Sequence, residues 1–86
     1  MIKPDEVTFL ILMQLRCKVQ GQDGGETPRA IIADSLHLLP EKRALFLLKK
    51  WTAKGWYDYG TVIDMGWLTP DGVAASYEKE WEHQHK

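Results

Sequence analysis

Basic side chains are concentrated in the segment from residue 40 to residue 56, which contains only one acidic residue. The five are Lys42, Arg43, Lys49, Lys50 and Lys54. This segment carries a net charge of +4 in a chain whose total is −1, so the remaining residues together carry −5. Ammonium and guanidinium groups gathered on one surface attract anionic partners. The sequence therefore predicts a local surface that binds negative charge.

Potential catalytic side chains do not form a catalytic pattern. Ser35, Ser76 and Cys17 have no spacing that would pair a nucleophile with a histidine base. Cys17 also lies on an apolar stripe, where a thiol is usually inert. The acidic residues are scattered instead of paired for acid–base chemistry. We therefore predict that the chain is not an enzyme.

The nearest approach to a metal motif is the pair His83 and His85. Residues two apart on a helix do not share a face, and no third ligand is close in sequence. We interpret residues 82–86 as a polar tail that frays. No metal and no other cofactor is predicted.

Length and composition favour one small folded domain over residues 1–86. Hydrophobic residues make up 44% of the chain, which is too apolar for a disordered segment. A net charge of −1 and a pI near 6.3 argue against nucleic-acid binding over the whole surface. A single cysteine fits a reducing compartment. The apolar run from Val7 to Met13 is shorter than the ~20 residues that span a bilayer, so we expect a cytoplasmic protein that does not enter membranes.

The basic residues are expected on a helix whose two ends are marked in the sequence. Pro40 suits a first helical turn, and Gly55 suits the left-handed residue that ends a helix. At about 100° per residue, the basic side chains share one side of this helix with Phe46. The apolar side comprises Ala44, Leu45, Leu48, Trp51 and Thr52.

Two further helices are predicted before the basic one. The first runs from about residue 5 to residue 19. The second begins at Thr27-Pro28, where the hydroxyl can cap the helix and proline fits its first position, and it ends before Pro40. Residues 20–26 between them are glycine-rich but lack the Gly-Lys-Ser/Thr ending of a phosphate-binding loop, so they are predicted as a connecting loop.

After Gly55 the pattern becomes extended and aromatic. Residues 56–59 and 62–68 predict a β-hairpin, in which Gly66 indicates a bulge or a close backbone approach. Thr69-Pro70 then begins a last helix. The apolar residues of this helix at helical spacing are Val73, Ala74, Tyr77 and Trp81. The predicted fold class is mainly α with a small β-hairpin (α+β), in the order helix, helix, helix, hairpin, helix.

The first helix is apolar on two sides. One stripe contains Val7, Leu10, Ile11 and Leu15, and the other contains Phe9, Leu12, Met13 and Cys17. A domain of this size has few layers with which to cover both stripes. We therefore predict a homodimer with an interface at Phe9, Leu12 and Met13. The alternative is a monomer in which the second and fourth helices cover both stripes.

This order of elements resembles the winged helix-turn-helix superfamily, over most of the chain. The resemblance rests on two sequence motifs, Leu45-x-x-Leu48-x-x-Trp51-x-x-x-Gly55-Trp56 and Gly66-Trp67-Leu68-Thr69-Pro70-Asp71-Gly72. In many bacterial winged-helix regulators, similar motifs flank the hairpin, which is called the wing. The resemblance implies a winged helix-turn-helix fold and a small bacterial or phage-type protein that binds duplex DNA as a transcriptional regulator.

The resemblance also assigns roles to the basic helix, which would enter the major groove of DNA. Arg43 is then the best candidate for reading a base, because a guanidinium donates two hydrogen bonds to one guanine. Lys42 and Phe46 lie beside it on the same face. The residues that would contact phosphates are Lys49, Lys50 and Lys54.

The predicted wing departs from the family pattern. No basic residue occurs from Gly55 to Glu78, and the hairpin carries Asp58 and Asp64. Carboxylates at this position would repel the DNA backbone. An alternative interpretation is therefore a protein-interaction module on the same fold, an adaptor or a phage-type inhibitor, that uses the acidic aromatic hairpin or the first helix.

Overall fold

The computed structural model describes residues 3–85, which form four α-helices and a two-stranded antiparallel hairpin. The elements are α1 (Pro4–Arg16), α2 (Pro28–Asp34), α3 (Glu41–Lys54), β1 (Tyr57–Asp58), a 3₁₀ turn (Ile63–Met65), β2 (Trp67–Leu68) and α4 (Pro70–Gln84). The hairpin pairs Tyr57 with Leu68 and Asp58 with Trp67. The predicted class, mainly α with a small hairpin, is therefore confirmed.

α1 is shorter than predicted, because the chain leaves helical geometry at Cys17, where φ is −76° and ψ is 153°. The following residues run parallel to β2: Leu68 N donates to Lys18 O at 2.9 Å, and Gln20 N donates to Leu68 O at 2.8 Å. These backbone bonds take the place of the last helical turn. Residues 17–20 consequently join α1 to the edge of the hairpin.

α2 and α3 begin at their predicted signals, but α2 ends at Asp34, earlier than the predicted end before Pro40. The Thr27 hydroxyl caps α2 by accepting a hydrogen bond from Ala30 N at 3.3 Å. A turn over residues 35–38 follows α2, and Pro40 lies immediately before α3. Gly55 ends α3 in the left-handed conformation, with φ at 80°. Three of the five basic residues of α3 are exposed.

A cluster of buried side chains fills the space between the helices and the hairpin. Its members among the described residues are Phe9, Leu10, Met13, Cys17, Ile31, Ile32, Leu39, Ala44, Leu47, Leu48, Trp51, Tyr57 and Leu68. Phe9 stacks on Trp51 with ring centroids 5.3 Å apart. Phe9 and Met13, which were predicted at a dimer interface, lie within this core, so they offer no surface to a second copy. Leu12 is half-buried and packs against the cluster.

The hairpin is smaller than predicted, because residues 63–65 form a 3₁₀ turn instead of a strand. The buried Tyr57 hydroxyl holds this turn by donating to Ile63 O and accepting from Gly66 N. A side chain at Gly66 would collide with the carbonyl oxygen of Asp58. The close backbone approach predicted at Gly66 is therefore confirmed.

α4 packs along α1, and of its four predicted apolar residues Val73 alone packs against the core. Gly72, Ala75 and Ser76 are buried, whereas Tyr77 and Trp81 are exposed. Gly72 lies against the backbone of Trp56, where a side chain would collide with the carbonyl oxygen. Residues 82–84 of the predicted frayed tail are helical, and Lys86 lies outside the described residues.

Candidate nucleic-acid interface

The side of α3 that faces away from the core carries Lys42, Phe46 and Lys49, which we call the outer row. All three are exposed, and Phe46 retains 55% of its accessible surface. The buried side of α3 comprises Ala44, Leu47, Leu48 and Trp51. It is centred closer to Leu47 than the sequence pattern indicated, and Leu45 and Thr52 are only half-buried. This rotation brings Arg43 and Lys50 to the border with α1.

Arg43 is held by a carboxylate of α1 in a two-pronged ion pair. Its Nε lies 3.0 Å from Asp5 Oδ2, and its Nη2 lies 3.3 Å from Asp5 Oδ1. Hydrogen bonding from this guanidinium lowers the pKa of Asp5 below its ordinary value. The guanidinium donors that were expected to bind a guanine are thus already bound to Asp5.

Lys50 is held by Glu6, a carboxylate that is only 1% exposed. Lys50 Nζ lies 2.7 Å from Glu6 Oε1, and Trp51 Nε1 donates to Glu6 Oε2 at 2.9 Å. A buried carboxylate is tolerated when a cation and hydrogen-bond donors surround it. Lys50 therefore fastens α3 to α1.

The other three lysines of α3 keep their charge at the surface. None of the ion pairs formed within residues 3–85 involves Lys42, Lys49 or Lys54. Lys54 is exposed, and its Nζ lies 4.7 Å from the ring centroid of Trp56 in a cation–π contact. The available positive charge of α3 thus comes from three lysines and not from all five basic residues.

An open depression of about 450 Å³ lies beside Phe46 at the start of α3. It is lined by Pro40, Lys42, Arg43 and Phe46. The guanidinium carbon of Arg43 lies 5.6 Å from the ring centroid of Phe46. The depression therefore combines an apolar wall with cationic groups at its border.

The two hairpin carboxylates differ in their surroundings. Asp64 accepts two hydrogen bonds of 3.0 Å from Arg29 of α2, which lower its pKa below the ordinary value. Asp58 is exposed, and its Oδ1 accepts from Tyr59 N. The repulsion of DNA phosphates that was expected from the hairpin carboxylates is consequently reduced at Asp64 and retained at Asp58.

These ion pairs were not predicted from the sequence, although one of them left a signal. Glu6 precedes Phe9, Leu10 and Met13 by three, four and seven residues, so it occupies the buried side of α1. A carboxylate in that position requires a partner. The identity of the partner depends on how α1 packs against α3, which the local pattern does not give.

The residues considered for catalysis and metal binding have ordinary structural surroundings. Burial raises the pKa of Cys17 to about 11, and the Ser35 and Ser76 hydroxyls donate to carbonyl oxygens of their own helical segments. His85 stacks on Trp81 with ring centroids 4.3 Å apart. Within residues 3–85, no three histidine, cysteine or acidic side chains are grouped to hold a metal ion.

Comparison with protein-family models, curated proteins and solved structures finds no match to this chain. Among the described helices, none combines the length and apolarity that a bilayer span requires. Proposals about function therefore depend on the geometry of α3 and its neighbours.

Proposed function

We propose that the protein is a winged helix-turn-helix protein that binds duplex DNA through the outer row of α3 and acts as a small transcriptional regulator. The observation that carries the proposal is the exposure of Lys42 and Lys49 on either side of Phe46, free of ion pairs within residues 3–85. Exposed cations on a helix of this kind neutralise phosphates and reach base edges.

The order of elements supports this proposal. α2, the turn and α3 succeed one another as in a helix-turn-helix, and the hairpin follows directly. In that motif the second helix lies in the major groove and its early residues contact bases. Here those early residues are Lys42, Arg43 and Phe46.

The roles within α3 differ from those expected from the sequence. Because Asp5 holds Arg43, base reading passes to Lys42, whose ammonium group can donate to the O6 and N7 acceptors of guanine. Lys49 and Lys54 contact phosphates. Arg43 and Lys50 act as positioning residues that fix the angle between α3 and α1.

A homodimer is part of the same proposal, with a surface different from the one predicted. Leu15 of α1 and Tyr77 and Trp81 of α4 are each more than half exposed. Gln14 Nε2 donates to Tyr77 Oη at 3.0 Å, which links the outer borders of the two helices. In the proposed complex, the two α3 helices of the dimer lie on successive major grooves, about 34 Å apart.

Sedimentation of the purified protein tests the dimer. We expect twice the 9.9 kDa mass of the chain for the parent and a monomer for Trp81→Ala. The matched control is Phe46→Ala, which replaces an exposed aromatic residue on α3 and should remain dimeric. A parent protein that stays monomeric at high concentration contradicts this part of the proposal.

Titration of a fluorescent duplex at low and high salt tests DNA binding. We expect binding that weakens as salt rises and that weakens further in the double variant Lys49→Ala, Lys54→Ala. Lys79→Ala is the matched control, since Lys79 lies on α4 and pairs with Glu82. Failure to bind duplex at low salt, or equal binding by the double variant, rejects the proposal.

A second candidate function is protein binding through the hairpin. Val62 and Met65 are exposed apolar residues in this segment, and Asp58 is exposed nearby in sequence. Such a combination of apolar and acidic groups suits a protein partner better than a phosphate backbone. A nuclease-resistant, stoichiometric partner that is lost in Met65→Asp and retained in Leu36→Asp would favour this function.

A further inference from the structure

Phe46 is an exposed aromatic ring in a row of cations. It retains 55% of its accessible surface, and its neighbours at positions −4 and +3 are Lys42 and Lys49. Electrostatic attraction to phosphates explains the two lysines. It does not explain a phenylalanine between them, which has no charge to contribute.

The ring of Phe46 has a fixed neighbour. Arg43 lies with its guanidinium carbon 5.6 Å from the ring centroid, and Asp5 holds that guanidinium with two hydrogen bonds. This ion pair therefore orients one border of the depression next to Phe46. A preformed apolar wall binds a small group without a large cost of ordering side chains.

The major groove offers one small apolar group, the 5-methyl group of thymine. Guanine, adenine and cytosine have no methyl group there. A cytosine facing Phe46 would place its amino donor against a ring that cannot accept a conventional hydrogen bond, which costs free energy. Contact with Phe46 thus distinguishes thymine from cytosine.

Lys42 lies one helical turn before Phe46 on the same side of α3. Four residues of α-helix span about 6 Å, whereas successive base steps along one DNA strand are about 3.4 Å apart. The two side chains consequently face positions about two base pairs apart. A lysine at the first position prefers the acceptors of guanine.

We infer that the protein selects sites in which a thymine faces Phe46 and a guanine about two base pairs away faces Lys42. The thymine methyl group occupies the depression lined by Pro40, Lys42, Arg43 and Phe46. This inference rests on the proposed binding of duplex DNA by α3. It adds the identity of the bases that are read and the residue that reads each.

The test begins with selection of bound duplexes from a random pool by the full-length chain. Uracil, which lacks only the methyl group, then replaces each thymine of the selected duplex in turn. We expect one replacement per half-site to weaken binding roughly fourfold, the factor for exposing one buried methyl group. Uracil at the other thymines serves as the control and leaves binding unchanged.

The variant Phe46→Ala completes the test, and its exposed position makes it compatible with folding. It should bind thymine and uracil duplexes equally while it keeps the salt dependence of the parent. Three results would overturn the inference and leave DNA binding intact. They are binding without an enriched sequence, equal affinity of the parent for thymine and uracil at every position, and discrimination between thymine and uracil that persists in Phe46→Ala. Absence of duplex binding at low salt rejects the proposed function itself.

Discussion

Replacing Glu6 by alanine should destabilise the protein more than any change at the exposed surface of α4. The side chain is 1% exposed and accepts hydrogen bonds from both Lys50 and Trp51. Alanine leaves the indole N–H of Trp51 without its partner. A buried unsatisfied donor costs about 1–3 kcal/mol.

The loss of the Lys50 contact adds a smaller cost. Hydrogen bonds to charged groups contribute about 1.5–3 kcal/mol, but the Lys50 side chain is 34% exposed and regains contact with water. We therefore expect a decrease of about 3 kcal/mol in the free energy of unfolding. For a domain of this size, that lowers Tm by roughly 12–24 °C.

The variant Glu6→Gln separates the hydrogen bonds from the charge. Its amide oxygen can still accept from Trp51 Nε1, so we expect a loss of about 1 kcal/mol. Glu82→Ala is the surface control, because Glu82 is 53% exposed and pairs only with Lys79 among the described cations. That change should remain within about 0.5 kcal/mol.

Urea unfolding followed by tryptophan fluorescence and by circular dichroism measures all three variants. The expected order of destabilisation is Glu6→Ala, then Glu6→Gln, then Glu82→Ala. A Glu6→Ala protein as stable as Glu82→Ala would refute the reasoning, because the buried carboxylate would then have no role in joining α1 to α3.

Two further predictions concern the acidic pairs and the hairpin. Hydrogen bonds from Arg43 and Arg29 lower the folded-state pKa values of Asp5 and Asp64 from 3.8. The stability that these pairs contribute is therefore present above that pH and is lost as pH falls through the folded-state pKa values. In an acid titration, Asp64→Asn should lose less stability than the parent, and an identical loss of stability would contradict this. Gly66→Ala should lower the free energy of unfolding by about 1–3 kcal/mol, because the added carbon meets the carbonyl oxygen of Asp58. Gly60→Ala, at an exposed position, should change the free energy of unfolding little. Equal chemical denaturation midpoints for the two variants would count against the close approach at Gly66.

Local signals predicted three helix boundaries. Thr27-Pro28, Gly55 and Thr69-Pro70 each mark a helix end in the structure as they do in the sequence. Capping depends on residues within one turn of each other, so the information is contained in a short segment. The close approach at Gly66 was also predicted, since few other features place glycine inside an extended run.

Helix rotation was not predicted, because apolar residues alone do not specify which side packs most closely. In α4 the buried side consists of Gly72, Ala75 and Ser76, and the large apolar residues Tyr77 and Trp81 face outward. The lack of a side chain at Gly72 allows α4 to approach the Trp56 backbone. A search for small residues at helical spacing would have identified this side.

The candidate site was predicted in composition but not in the pairing of its charges. The sequence identified the basic residues of α3, yet Arg43 and Lys50 pair with Asp5 and Glu6, which are 38 and 44 residues away along the chain. The end of α1 at Cys17 has a similar cause, because Leu68 supplies the backbone partner of the residues that follow. Such contacts depend on tertiary packing, which local spacing does not encode.

The salt dependence of duplex binding tests most directly whether the outer row of α3 and Lys54 contact DNA. Each lysine–phosphate contact contributes about 0.9 to the slope of log K against log salt concentration. The double variant Lys49→Ala, Lys54→Ala removes the two proposed phosphate contacts, so its slope should be smaller by about 1.8 per chain than that of the parent. An unchanged slope would contradict DNA binding through this surface.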